Sequence, residues 1–388
     1  MSFGTLALLV VAGLLGPALG GWGRGAPPVV VGEIAAGVII GRSGFGWIHT
    51  SDPALVLFSD VGFALLMFIV GTHLPVRNPN LRPAIGRGLG AAALTGVASL
   101  GAGAAFASFV GLDRPLVLAV LLATSSGAVA LPVLQAIPRN GSPILVATAW
   151  IAIADVVTVL AIPLVLPAGS TMRALAGGAL VIALAAAVFV MARAVRGTDV
   201  VERVRTASVE RGWAVDLRIA LLVLFTLAWI ATRFGTSILL AGFAGGVAVT
   251  LLDEPRRVAQ QLIGIGEGFF VPLFFTTLGA RLDLGAFVHE PRTVVLGAAL
   301  LVGTTVIHLL VAAIWRLPLA TGLLATAQLG VPAAVASVGL AVHVVDVGQA
   351  SAIMAAAVGS LIVCAVGGAL LGNPGPLTVA VPPVTPRP

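Results

Sequence analysis

Asp155 stands alone within the apolar run 144–166, in the local sequence Trp150-Ile-Ala-Ile-Ala-Asp155-Val-Val-Thr158. A carboxylate at mid-depth of a bilayer-spanning helix costs about 2.5–3.5 kcal/mol even on the lenient insertion scale. A residue kept there at such a cost points to binding a cation, carrying a proton, or doing each in turn; pairing with an arginine is the plainer alternative. Thr158 lies one helical turn on, on the same face, and offers another oxygen. Two further stretches place polar groups beside helix-breaking residues. One reads Ala123-Thr124-Ser125-Ser126-Gly127-Ala-Val-Ala-Leu-Pro132, the other Ala325-Thr-Ala-Gln328-Leu-Gly330-Val-Pro332. Thr124, Ser125, Ser126 and Gln328 therefore join Asp155 and Thr158 as candidate ligands for a proton or for Na⁺ or K⁺, cations that take oxygen donors.

The remaining polar residues within apolar segments are fewer and less telling. His308, in Thr305-Val-Ile-His308-Leu-Leu, is the one histidine deep in a span. Its position just before the second broken stretch makes a partnership with Asp155 reasonable, and histidine can change charge near neutral pH; a hydrogen-bonded packing role is the other reading. Arg281 is a candidate charge partner, although Gly279-Ala-Arg281-Leu-Asp283 also suggests an ion pair at the membrane interface. Glu33, Asp60 and Glu267 are possible secondary sites, the last two read as polar ends of spans that snorkel easily. No metal-ligand cluster and no nucleophile–base pair is apparent, so an enzyme is not expected, and no cofactor is expected beyond the transported ions.

Hydrophobic residues make up 59% of the 388-residue chain and charged residues 9%. A soluble domain carries about a quarter charged residues, so this is an all-α polytopic membrane protein. All 21 basic residues are arginine. With so few charges, their excess says little about nucleic acid, and none is expected as a partner; arginines instead orient loops. The one cysteine, Cys364, lies in the last apolar segment and can form no intramolecular disulfide. Ala18-Leu-Gly20 resembles a signal cleavage site, but the start lacks a basic region, so the first segment is read as a helix.

Segments near the length of about 20 apolar residues needed to span a bilayer give thirteen candidate transmembrane helices, at about 4–20, 28–41, 54–74, 84–110, 115–137, 143–166, 174–195, 216–232, 236–252, 262–280, 293–315, 317–341 and 348–371. The polar stretch 193–218 reads as a solvated loop, and 372–388 as a disordered Pro-rich tail. Fifteen arginines fall in loops on one side and six on the other. That asymmetry places the N-terminus outside and the C-terminus in the cytoplasm, with the cell membrane as location.

Three short matches recur in order. Ala35-Ala-Gly-Val38 echoes Ala244-Gly-Gly-Val247, Gly62-Phe-Ala-Leu-Leu-Met-Phe68 echoes Gly268-Phe-Phe-Val-Pro-Leu-Phe274, and Leu121-Leu-Ala-Thr124 equals Leu323-Leu-Ala-Thr326. They imply a first six-helix repeat (1–166), a linker helix and cytoplasmic loop (167–215), and a second six-helix repeat (216–371). An intervening seventh span inverts the second copy. Inverted repeats with discontinuous helices meeting at the midplane are a secondary-transporter architecture, and the two interrupted stretches are expected to cross there.

The chain resembles the monovalent cation:proton antiporters of the second cation:proton antiporter family, which includes Kef-type potassium systems and bacterial sodium/proton antiporters. The stretches that carry the resemblance are Pro28-Val-Val-Val-Gly-Glu33-Ile-Ala-Ala-Gly-Val-Ile-Ile-Gly41, Asp60-Val-Gly-Phe-Ala-Leu-Leu-Met-Phe-Ile-Val-Gly71, Pro272-Leu-Phe-Phe-Thr-Thr-Leu-Gly279 and the Asp155 helix. It implies a core domain holding the crossed helices, moving in an elevator-like way against a dimerisation domain in a homodimer. It also implies that Asp155 carries both ion and proton. Three positions depart from the family pattern: Ala154 precedes Asp155 where an Asp, Asn or Gln is usual, Val331 follows Gln328-Leu-Gly330 where Kef-type members have Glu, and His308 stands where lysine or arginine is usual. The missing neighbour at position 154 argues for electroneutral, one-to-one exchange of Na⁺ or K⁺ for H⁺, and a Kef-like glutathione gate is not expected. A sodium-coupled organic-solute symporter of similar fold, or a non-transporting sensor or partner subunit, is the alternative; the small apolar surroundings of Asp155 weigh against the first.

Overall fold

A computed structural model describes residues 1–19, 29–72, 82–127, 129–130, 134, 142–166, 171–195, 198–234, 236, 238–252, 256–285 and 290–371. The Pro-rich tail and several expected loops, including those holding Arg24, Arg77 and Arg139, lie outside them. Every regular element among the described residues is helical. In chain order these are α1 (Phe3–Leu19), α2 (Val29–Ile40), α3 (Pro53–Thr72), α4 (Arg82–Phe106), α5 (Pro115–Ala123), α6 (Ser142–Val165), α7 (Thr171–Val195) and α8 (Asp199–Glu210). There follow α9 (Val215–Phe234), α10 (Ile238–Leu252), α11 (Arg256–Ile265), α12 (Val271–Arg281), α13 (Pro291–Ile314), α14 (Leu319–Ala325), α15 (Gly330–Ala341) and α16 (Val347–Leu370). Nine described segments are long and apolar enough to cross a membrane, and three shorter apolar helices accompany them. The 12 residues of α2 rise only about 18 Å, less than the roughly 30 Å of a hydrocarbon core.

Helices from the two halves of the chain interlock reciprocally. α2 packs along α12, while α3 packs along α10. By the sequence matches, α10 corresponds to α2 and α12 to α3, so each contact repeats the other with the halves exchanged. Glycine makes the close approach possible on both sides. A Cβ on Gly37 would lie 2.1 Å from the Thr276 carbonyl oxygen, and one on Gly246 2.1 Å from that of Phe68. Without a hydrophobic force between helices in lipid, such backbone proximity supplies the van der Waals contact that holds them. A second bundle gathers α4, α5 and α6 from the first half with α13, α14, α15 and α16 from the second. The Trp150 ring is fully buried in its core.

Two expectations change here. The stretch read as a solvated loop contains helix α8, with Val201 and Val204 exposed; the buried Ser208 hydroxyl accepts from the Val215 amide (3.0 Å), tying α8 to the start of α9. The tenth span is not one regular helix either. Gly266–Phe270 forms a π-helical turn between α11 and α12 within the apolar stretch Gln260–Arg281, so Glu267 sits inside that stretch rather than at its end.

Candidate functional site

Two interrupted helices cross in the second bundle. α5 ends at Ala123, Thr124 is extended, residues 124–126 belong to no regular element, and helical geometry resumes at Gly127. α14 ends at Ala325, and α15 begins at Gly330. The Ser126 amide donates to the Ala327 carbonyl at 2.6 Å, so backbone bonds backbone at the crossing itself. Unwound backbone at membrane depth must find partners inside the protein, and side chains from neighbouring helices provide them. The Ser360 hydroxyl of α16 accepts from the Gln328 amide N–H (3.0 Å), and the Thr326 hydroxyl turns back to Leu323 O.

α6 brings Asp155 to this point. Its Oδ2 accepts from the Gly127 backbone N–H at 2.8 Å, and the side chain is buried. Gly127 opens the second half-helix, with Ala130 N–H bonded back to Ser126 O (3.0 Å). Free amides and the positive end of the helix dipole make such a terminus a natural seat for an anion. Thr158, also buried, lies 3.0 Å from the Thr124 hydroxyl across the α5–α6 contact. The Thr158 hydroxyl donates to the Ala154 carbonyl at 2.7 Å. Having spent its one proton there, it must accept from Thr124, which leaves the Thr124 oxygen lone pairs free. Ser125 Oγ is buried and finds no hydrogen-bond partner among the described residues, a condition that calls for an explanation such as a bound ion. The structure thus gathers Asp155, Thr158, Thr124, Ser125 and Ser126 at one place.

Gln328 joins them in a different capacity. Its Nε2 donates to Leu121 O (2.6 Å) and Thr304 Oγ1 (3.1 Å), with Thr124 O at 3.5 Å. The sequence makes Gln328 a candidate for ion or proton binding; in the structure its amide nitrogen satisfies acceptors at the end of α5.

His308 is fully buried, and its Nδ1 lies 2.8 Å from the Thr304 carbonyl, so that nitrogen carries the proton. The imidazole stacks on the Trp150 indole with centroids 5.5 Å apart, and Trp150 Nε1 donates to Thr95 Oγ1 (3.1 Å). Among the described residues no ion pair involves either His308 or Asp155, so the expected partnership is not a direct contact. His308 reaches the crossing through Thr304, whose hydroxyl accepts from Gln328. Thr304, Thr95 and Ser360 were missed in the sequence; each is a hydroxyl on an otherwise apolar helix, indistinguishable there from ordinary packing residues.

Arg281 and Asp60 lie on α12 and α3, which pack against each other and are not the helices that cross. The ion pair expected between Arg281 and Asp283 gives way to one between Asp283 and Arg42, at 3.2 Å. Leu282 explains the change: its extended backbone (ψ 137°) ends the helix and turns Asp283 aside. Glu33 is buried against Gly16 of α1, and Glu267 Oε1 is buried without a partner among the described residues. Among the described residues, no hydrogen bond or ion pair joins Asp155 to Arg281, Asp60, Glu33 or Glu267.

The all-helical bundle, the crossed broken helices and the buried carboxylate place the chain in a class of polytopic membrane proteins built on two interlocked repeats. The sequence profile of the family described as "Sodium/hydrogen exchanger, transmembrane" matches residues 6–372, and the chain belongs to that family. It is 25% identical over 365 residues to the putative Na⁺/H⁺ antiporter YjbQ of Bacillus subtilis (strain 168), covering 87% of this chain and 58% of that protein's length. It is 24% identical over 297 residues to a Na⁺/H⁺ antiporter of Enterococcus hirae, covering 74% and 75% of the two chains. Its fold is similar to that of the sodium proton antiporter MjNhaP1 from Methanocaldococcus jannaschii, with a TM-score of 0.61, 18% identity and 95% of each chain covered.

Proposed function

We propose that the chain exchanges a monovalent cation, Na⁺ or K⁺, for H⁺ across the cell membrane, with Asp155 carrying cation and proton in alternation. The observation that carries this reading is the Asp155 carboxylate, buried where the broken helices cross and held by the Gly127 amide. Thr124, Thr158 and Ser125 supply the neutral oxygens around it. One carboxylate binds either one cation or one proton, so a cycle returns the charge it moves; Ala154 offers no second acid, and exchange is one-to-one and electroneutral. The bundle around the crossing moves as a unit against the α2–α3–α10–α12 seam, an elevator-like motion within a homodimer whose N-terminus lies outside and C-terminus in the cytoplasm. The Na⁺/H⁺ antiporters to which the chain is similar support the reading.

The test is cation-induced proton efflux from proteoliposomes with NaCl, KCl or LiCl, comparing wild type with Asp155→Asn. Loss of exchange in the variant, with a wild-type rate independent of membrane potential, is the expected result. Undiminished exchange by Asp155→Asn removes the assignment, and a voltage-dependent rate removes one-to-one stoichiometry.

A further inference from the structure

Three oxygens from separate places converge on the Gln328 amide nitrogen: Leu121 O at 2.6 Å, Thr304 Oγ1 at 3.1 Å and Thr124 O at 3.5 Å. Gln328, Thr304 and Thr124 are all buried. An amide nitrogen has two protons, so the two shorter contacts use both and the third is marginal. Two carbonyls and a hydroxyl converging on one point are also the ligand type that hard cations take. Both carbonyls belong to the C-terminal end of α5, where the helix dipole is negative and cations are favoured. The nitrogen therefore occupies a seat that would otherwise attract a positive ion, next to Thr124, whose hydroxyl meets Thr158 on the helix that carries Asp155. Spacings of 2.6–3.5 Å exceed those at which small hard cations hold oxygen, so the seat suits a larger ion better than a smaller one.

We propose that Gln328 is a specificity-determining residue whose amide plugs an oxygen cage beside the Asp155 site, confining exchange to one small cation held by the carboxylate and hydroxyls. This rests on the assignment of Asp155 above. With the amide in place, Leu121 O and Thr304 Oγ1 take its two protons and the nitrogen stands in front of Thr124 O, so the three cannot complete a shell for a wider ion such as K⁺. With the amide gone, they can.

The experiment reconstitutes Gln328→Ala, Gln328→Ser, Thr304→Val and the double variant Gln328→Ala/Thr304→Val. Half-saturating NaCl and KCl are measured by proton efflux, and the same salts are tested for thermal stabilisation of the detergent-solubilised protein. Gln328→Ala should move the K⁺/Na⁺ preference toward K⁺ by about tenfold, the effect of one ligand's worth of differential binding. Gln328→Ser should move it the same way, so either folded variant decides. Thr304→Val alone leaves the amide on Leu121 O and should keep the wild-type ratio, while the double variant, short of one cage oxygen, should lose most of the gain. A Gln328 variant with a reduced maximal rate and an unchanged ratio in both assays would show that the amide only supports packing, and would overturn the proposal. The parent assignment fails on a different observation, undiminished exchange in Asp155→Asn, so the two failures are told apart.

Discussion

Thr158→Val offers a sharp test of how the hydroxyls around Asp155 are arranged. Valine has nearly the shape of threonine, so the packing of α6 is preserved and only the oxygen is lost. In the wild type, Thr158 spends its proton on Ala154 O (2.7 Å) and accepts from Thr124 (3.0 Å). That chain of donation fixes the Thr124 proton away from the ion seat before any ion arrives. Without Thr158 Oγ1, the Thr124 proton has lost its acceptor, and the expected substitute is the Asp155 carboxylate, the charged acceptor about one helical turn from Thr158 on the same face of α6. A cation must then displace a hydrogen bond to a charged group, worth about 1.5–3 kcal/mol. At about 1.4 kcal/mol per decade, half-saturating Na⁺ should rise roughly ten- to a hundredfold, with a smaller change in maximal rate. Thr158→Ser keeps the oxygen and should stay close to wild type. The measurement is the Na⁺ dependence of proton efflux in proteoliposomes, with thermal melting to show that each variant is folded. A folded Thr158→Val protein with less than a twofold change in half-saturation would refute the orientation argument and remove Thr124 from the ligand set.

Two further outcomes follow from packing. Gly246→Ala forces a methyl to within 2.1 Å of Phe68 O, so α3 and α10 must separate by about an ångström; a loss of about 1–3 kcal/mol is expected, read as a lower melting temperature, and an unchanged melt would show that the seam is loose. His308→Gln removes the ring stacked on Trp150, a pair worth about 0.5–1.5 kcal/mol beyond its buried area. Because Nε2 of His308 faces no acceptor among the described residues, the pH midpoint of exchange should stay in place while stability falls; a flattened pH profile would instead make this histidine the pH-responsive group.

Much of this arrangement was legible in the sequence because a bilayer punishes unexplained polarity. Asp155 stood out by cost alone, and Gly127, Gly330 and the neighbouring prolines marked breaks that the structure forms at corresponding places in the two halves. The short matches around Gly37 and Gly246 also had physical content, since both glycines sit where one helix backbone touches another. Less visible was direction. Sequence identifies Gln328 as polar but not which end of its amide meets the site, and the donor end turned out to face the carbonyls of α5. Arg281 and Asp283 are neighbours in sequence, yet one extended residue, Leu282, separates their environments. The stretch 193–218 was judged by its charge, which hid helix α8 within it.

On the proposed exchange, the crossing also gives a reason why a single carboxylate would suffice. Breaking two helices at membrane depth frees backbone donors and acceptors that lipid cannot satisfy. Most of those seen here are bound within the protein: Ser126 N–H to Ala327 O, Gln328 N–H to Ser360 Oγ, and Leu121 O to the Gln328 amide. The Gly127 N–H is the exception, because its acceptor is the carboxylate whose charge is proposed to change. Protonating Asp155 or placing a cation beside it weakens that bond, and the other pairs are untouched. A site of this kind, exchanging occupants as proposed, would do so without unravelling the fold around it. A second acid at position 154 would add a charge without such a half-helix amide to receive it, whereas the hydroxyls of Thr124 and Thr158, being neutral, would stabilise the proposed ion without altering the count of charges carried.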